Sequence, residues 1–123
     1  MATLQATGFH DAVDYKVVVA TKITSGTDQQ TNVTGGPGRL FNIYLDGSAA
    51  TGDYWLKVFD GVDPSPGTSV PQLILKGVQS SRNTYRIPYG FAFDQLSFWV
   101  TSGAGQTDTG NPSGSVTVKL TCS

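Results

Sequence analysis

The chain offers few residues that could catalyse a reaction. It contains one histidine, His10, one cysteine, Cys122, and nine acidic residues, all of which are aspartates. A single histidine excludes a multi-histidine metal site within one chain, and no G-x-S-x-G motif is present to position a nucleophilic serine. We therefore predict no catalytic residue, no metal site and no cofactor site.

Paired carboxylates are the remaining chemical possibility, because Asp46, Asp53, Asp60 and Asp63 lie close together in the sequence. Two carboxylates could hydrolyse a glycosidic bond, and several could bind Ca²⁺. Each of these aspartates flanks a turn rich in Gly or Pro, where Asp accepts hydrogen bonds from the nearby backbone. The spacing of acids and glycine that is typical of a calcium-binding loop is missing. We interpret the four residues as turn residues.

Aromatic residues form the other notable group. Trp55 and Phe59 alternate with Lys57 on one face of the segment 53–60, and Trp99 occupies a similar position on another apolar segment. This face could be buried within a single sandwich, could join subunits of an oligomer, or could stack on sugar rings. A lysine between aromatics favours a subunit interface, because its stem packs while its ammonium reaches water. We predict that these four residues form an oligomer interface.

The elements that carry these residues are predicted to be short strands. In the segment 39–46, Phe41, Ile43 and Leu45 alternate with polar neighbours, as in a half-buried strand. Similar segments recur between turn signals: Tyr15–Ile23, a weaker one at Gln30–Thr34, Asp53–Asp60, Gln72–Lys76, Arg82–Pro88, Leu96–Thr101 and Ser115–Thr121. About eight strands without a convincing helix predict an all-β fold, specifically an antiparallel, jelly-roll-like β-sandwich.

Length and charge limit the organisation and the partners. The 123 residues suffice for one domain, which we place at residues 15–123, after an extended N-terminal arm at residues 1–14. The net charge is −1 and 14% of the residues are charged, which predicts no nucleic-acid partner and no membrane partner. No apolar run is long enough to span a bilayer and no secretory signal is visible, so we expect synthesis in a cytosol.

Several stretches between about Gly35 and Thr121 together resemble a family of small structural proteins of tailed bacteriophages. They are Gly36-Pro37-Gly38-Arg39-Leu40, Asp53-Tyr54-Trp55-Leu56-Lys57-Val58-Phe59-Asp60, Pro66-Gly67-Thr68-Ser69-Val70-Pro71-Gln72-Leu73, Tyr89-Gly90-Phe91-Ala92-Phe93, Thr101-Ser102-Gly103-Ala104, Thr107-Asp108-Thr109 and Gly114-Ser115-Val116-Thr117-Val118. The proteins that they resemble are β-sandwich decoration or cement proteins, which assemble on the outside of a capsid.

The resemblance implies a non-enzymatic virion protein. Such a protein would be made in the cytoplasm of a bacterial host and would bind the outer capsid surface as a homo-oligomer, a trimer, with the major capsid protein as its partner. The arm would then contact the capsid or a neighbouring subunit through Thr3, Leu4, Phe9 and His10. The alternative is a carbohydrate- or receptor-binding module of a phage tail or fibre. In that case the same aromatics would stack on sugars and the loops Asp60–Pro71 and Gly103–Gly114 would set specificity.

Overall fold

The chain forms strands, turns and loops, with no helix in the residues described by the computed structural model, which are residues 3–8 and 15–123. The strands are β1 (Thr3–Gly8), β2 (Lys16–Ile23), β3 (Gly38–Asp46), β4 (Tyr54–Asp60), β5 (Leu73–Gly77), β6 (Arg82–Phe93), β7 (Leu96–Thr101) and β8 (Val116–Cys122). β-Branched and aromatic residues are common in them, and these residue types pack well on a pleated surface. The predicted all-β class is confirmed.

The strands form two antiparallel sheets. One has five strands in the order β1-β2-β8-β3-β6, and the other has three strands in the order β5-β4-β7. Alternation along β8 buries Val116, Val118 and Leu120 while Lys119 remains exposed, as the sequence predicts. Buried residues of both sheets belong to one apolar cluster. The arrangement is therefore sandwich-like, with the core between the sheets.

Strand pairing follows a nested order along the chain. β2 pairs with β8, β3 pairs with β6, and β4 pairs with β5. Between the first two of these pairs, Gln30 forms an isolated antiparallel bridge with Phe98 of β7. The weak strand predicted at Gln30–Thr34 is thus reduced to a single bridge. Further pairs, β3 with β8 and β4 with β7, connect the nested pairs into sheets.

Residues 3–8, which belong to the predicted arm, form the outermost strand of the five-stranded sheet. β1 runs antiparallel to β2, with Thr3 opposite Thr21 and Gly8 opposite Lys16. A contact of Thr3 and Leu4 with a capsid or a neighbouring subunit stays a prediction. Phe9 and His10 lie outside the described residues.

Tyr54 fills one end of the core without using its hydroxyl group. Its side chain is fully buried, and the hydroxyl has no hydrogen-bond partner among the described residues. The ring lies between Gly47 and Gly77, and a β-carbon at either glycine would overlap it. Burial raises the pKa of Tyr54 to about 12. The two glycines therefore make room for a large ring whose polar end is sealed from water.

Candidate interaction surfaces

The aromatic residues singled out in the sequence do share one face of the three-stranded sheet. Lys57 lies directly opposite Trp99 in the pairing of β4 with β7. The rings of Phe59 and Trp99 are 6.3 Å apart between centroids and tilted by 54°. A tilted pair at this separation is a favourable aromatic arrangement. This face is the one turned away from the core, because Tyr54, Leu56 and Val58 of β4 point into the core.

Two of the four predicted interface residues are buried within the chain itself. Lys57 and Trp99 are both 0% exposed. The sequence predicts that the Lys57 ammonium reaches water, and this is wrong: the ammonium donates to the carbonyl oxygens of Gly105 at 2.5 Å and Asp108 at 3.0 Å. A buried cation is tolerated only when its donors are matched in this way. For these two side chains, the covering surface belongs to the same polypeptide.

Lys57 is covered by the loop of residues 102–114, here called the cover loop, whose carbonyl oxygens accept its hydrogen bonds. Its own turn is closed by a hydrogen bond from the Ser102 amide to the Gly110 carbonyl oxygen, 3.0 Å. Outside the loop, the Gly26 amide donates to Asn111 Oδ1 at 3.0 Å and the Thr51 amide donates to the Ser113 carbonyl oxygen at 2.6 Å. Together with the Lys57 bonds, these contacts attach the loop to three separate parts of the chain.

The electrostatics of Lys57 are those of a buried structural group. Burial lowers the pKa of its ammonium, and the nearby charge of Asp108 opposes this effect. An amine with a lowered pKa is a common nucleophile in enzymes, but it must be reachable. Because Lys57 has no exposed surface, its amine serves to hold the cover loop.

The part of this face that remains accessible is smaller than the sequence predicts. Trp55 and Phe59 are only partly buried, as is Ile74 of β5, which lies opposite Lys57 in the β4–β5 pairing. We call Trp55, Phe59 and Ile74 the aromatic face. A subunit contact through Trp55 and Phe59 stays a prediction, and Ile74 is an addition that required the strand register.

A groove lies on the outer side of the five-stranded sheet, at a break in its edge. Leu40 pairs with Phe91 and Asn42 pairs with Arg86, so residues 87–90 of β6 have no partner on β3. The groove has a volume of about 570 Å³. Its lining consists of Phe41, Asn42, Arg86, Ile87, Pro88 and Thr121.

Tyr89, next to this lining, is the most exposed large side chain among the described apolar residues, at 89%. Its carbonyl oxygen accepts a hydrogen bond from the Arg39 guanidinium at 3.0 Å, and the following Gly90 has a φ of +79°. That backbone conformation favours glycine. The groove was not predicted from the sequence, although Pro88 and Gly90 within a strand are a signal for an irregular edge.

Three of the four aspartates predicted to be turn residues, Asp46, Asp53 and Asp60, accept hydrogen bonds from backbone amides. Asp46 accepts from the Ser48 amide, and hydrogen bonds from Ser48 lower the pKa of its carboxyl group. Asp53 accepts from the Gln79 amide, which likewise lowers its pKa. Asp60 Oδ1 accepts from two consecutive amides, those of Asp94 and Gln95. The Asp53 and Asp60 bonds span distant turns, which was not predicted.

Cys122 is an inert thiol in this fold. It is fully buried in β8, and burial raises its pKa to about 12. Since the thiolate is the reactive species, a group that stays protonated does not exchange disulfides readily.

Within residues 15–123, the structure contains no group of three His, Cys, Asp or Glu residues arranged to hold a metal ion. No helix in the described part of the chain is long and apolar enough to cross a membrane.

No family model matches the chain, and no curated protein shows significant similarity to it.

Proposed function

We propose that this protein is a non-enzymatic structural protein of a tailed-phage virion, a decoration or cement protein on the outer capsid surface. The observation that carries the proposal is the nested strand pairing. A jelly roll is a long antiparallel hairpin wrapped into two sheets, so that strands pair from the chain ends inward. Here β2 pairs with β8, Gln30 with β7, β3 with β6 and β4 with β5. We assign this connectivity to a jelly roll with one strand reduced to a bridge.

The jelly roll is common in viral capsid proteins and in lectins, so the fold by itself supports two functions. The aromatic face supports the structural one. Trp55 and Phe59 are partly exposed on a rigid sheet, and tryptophan and phenylalanine are enriched in subunit contacts. A homotrimer built through this face would present three copies of each capsid contact. Repetition of weak contacts raises the overall affinity for the capsid.

Stabilisation of the capsid would follow from mass action. A protein that binds the assembled shell better than its separate subunits lowers the free energy of the assembled state. The major capsid protein is the partner in this proposal, and the virion surface is the location. The bonds of the cover loop support the role, because a loop attached at several points does not lose much conformational freedom on binding.

The test is the mass of the purified protein in solution, by light scattering after size-exclusion chromatography over a range of concentrations. We expect a stable oligomer, with a trimer at about three times 13.0 kDa. Trp55→Ala should shift it towards the monomer, while Tyr89→Ala, an aromatic truncation on the other sheet, should not. Circular dichroism establishes that both variants are folded. A wild-type protein that stays monomeric at high concentration would refute self-association.

A second function, a carbohydrate- or receptor-binding module of a tail or fibre, is favoured by the groove. Its lining combines an aromatic ring, Phe41, with hydrogen-bonding side chains of Asn42, Arg86 and Thr121. Sugar rings stack on aromatic faces and their hydroxyl groups bind such polar side chains. Saturable binding on a glycan array, abolished by Phe41→Ala and retained by Trp55→Ala, would support this function over capsid decoration.

A further inference from the structure

Charge is distributed unevenly between the two sheets, although the chain as a whole has a net charge of −1. Of its eight lysines and arginines, six lie on strands of the five-stranded sheet: Lys16, Lys22, Arg39, Arg82, Arg86 and Lys119. Among the described aspartates, only Asp46 lies on that sheet. The other two lysines are Lys57, which is buried, and Lys76, which forms an ion pair with Asp53. Among the described residues, the strands of the five-stranded sheet therefore carry a net positive charge.

Two of these cations lie on the outer face without an acidic partner in the described part of the chain. Arg86 and Lys119 are exposed and form no ion pair with any described residue. Arg82, on the same strand as Arg86, is different, because its Nε lies 3.4 Å from Asp46 Oδ2. Among the described residues, Arg86 and Lys119 therefore have no carboxylate that competes with an external anion, whereas the charge of Arg82 is paired with that of Asp46.

The strand register places Arg86 and Lys119 on one continuous surface with the groove. Arg86 lies opposite Asn42, which lies opposite Thr121, and Lys119 is two residues from Thr121 on β8. Two strand spacings across the sheet and two residues along it separate the α-carbons of the two cations by about 12 Å. Tyr44 lies between them, opposite Lys119 on one side and Thr84 on the other. Hydroxyl and amide groups therefore fill the space between the charges.

We propose that this groove binds a carboxylated polysaccharide, with Arg86 and Lys119 meeting carboxylates on different sugar residues. The inference rests on the second function proposed above, glycan binding in the groove, and adds the chemical class of the glycan. An arginine binds a carboxylate through charge-assisted hydrogen bonds. The hydroxyl and amide side chains between the cations, from Asn42, Tyr44, Thr84 and Thr121, match the hydroxyl groups of sugars.

An acidic protein surface fits this site less well. Protein interfaces have an apolar centre from which lysine is depleted, and they bury about 800 Å² on each partner. Here the centre of the face carries Lys119 among polar side chains, and the apolar groups lie on either side of it, in the groove and at Val17 and Val19 of β2. A narrow, flexible chain that lies in the groove and extends over Lys119 matches this layout better than a flat protein surface does.

The experiment compares polygalacturonate with its fully methyl-esterified form, which has the same sugar backbone without the charges. Binding to the full chain is measured by biolayer interferometry at low and at moderate salt. We expect the charged polymer to bind and the ester to bind at least about tenfold more weakly, because charge-assisted hydrogen bonds are roughly twice as strong as neutral ones. Added salt should weaken binding of the charged polymer.

Variants locate the contact. Arg86→Gln and Lys119→Gln should each weaken binding of polygalacturonate by about fivefold to tenfold. Arg82→Gln is the matched control, since it removes the same charge from the same strand at a position paired with Asp46. It should change binding less than twofold. Far-ultraviolet circular dichroism and thermal unfolding verify that the three variants fold alike.

Each other outcome overturns the inference in a distinguishable way. Equal binding of the ester and the acid, unaffected by Arg86→Gln, would leave glycan binding intact but refute the acidic class. Equal binding of polyglutamate or single-stranded DNA would show attraction to any polyanion. The inference would also be refuted if the protein bound none of four carboxylated polysaccharides: polygalacturonate, alginate, hyaluronate and polysialate. A glycan array with neutral ligands would then show whether the second function survives.

Discussion

The hydroxyl of Tyr54 should destabilise the fold, so Tyr54→Phe should stabilise it. The side chain is 0% exposed and its hydroxyl has no partner among the described residues. Leaving a buried polar group unpaired costs about 1–3 kcal/mol. Phenylalanine keeps the ring that packs between Gly47 and Gly77 and removes only the hydroxyl. We expect the free energy of unfolding to rise by about 1–2 kcal/mol at pH 7.

The advantage of Tyr54→Phe should grow at alkaline pH. Burial is the main cause that raises the pKa of Tyr54 from 10.0 to about 12. A group whose pKa is raised by folding contributes stability that is complete below its unfolded pKa and is lost as pH rises towards its folded pKa. Wild-type stability should therefore fall between pH 10 and pH 12. By pH 11 the expected loss from this tyrosine is on the order of 1 kcal/mol, which the phenylalanine variant escapes.

Urea denaturation followed by tryptophan fluorescence, at pH 7 and at pH 11, measures both effects. Tyr85→Phe is the matched control, because the Tyr85 hydroxyl donates to the Lys76 carbonyl oxygen at 2.7 Å. This control should lose about 1 kcal/mol at pH 7. Tyrosine-to-phenylalanine substitution should therefore raise the free energy of unfolding at residue 54 and lower it at residue 85. A Tyr54→Phe protein that is less stable than the wild type by 1 kcal/mol or more would show that the hydroxyl is satisfied, and would refute the reasoning.

Two further predictions concern buried groups on either sheet. Because burial raises the pKa of Cys122 to about 12, iodoacetamide should label the native protein at pH 8 only at the rate of unfolding. Rapid labelling of the folded chain, measured by mass spectrometry with and without urea, would contradict this. Lys57→Met should release the cover loop and raise amide hydrogen exchange in residues 102–114 by about tenfold or more, since two hydrogen bonds are lost. Lys76→Met, which removes an exposed lysine of β5, should leave that exchange unchanged.

The parts of the fold that the sequence predicts well are those in which neighbouring residues decide the outcome. Alternation in the segment 115–121 predicts β8, while short apolar segments at 53–60 and 96–101, bounded by turn residues, predict β4 and β7. In β8 each side chain faces the side opposite to its neighbour, so the apolar set marks the core face. The turn role of Asp46 is equally local, because its carboxylate accepts from the Ser48 amide two residues along the chain.

The groove shows where this local argument fails. Alternation placed Phe41 on the same side as Ile43 and Leu45, but the register of β3 shifts between Leu40 and Asn42. Such an irregularity reverses the side-chain direction, so Phe41 lines the outer groove while Ile43 is buried. The shift depends on how β6 pairs with β3, and these strands are far apart in the sequence.

By itself, the sequence determined the all-β class, most strand positions and the set of aromatic residues that share one face. Only the tertiary structure decided that Lys57 and Trp99 are buried, that Lys57 holds the cover loop, and that most of the cations lie on one sheet. The physical reason is that side-chain alternation is a property of adjacent residues, whereas burial by a loop and the charge of a face depend on strands and loops that meet only after folding. A net charge of −1 therefore conceals a cationic sheet.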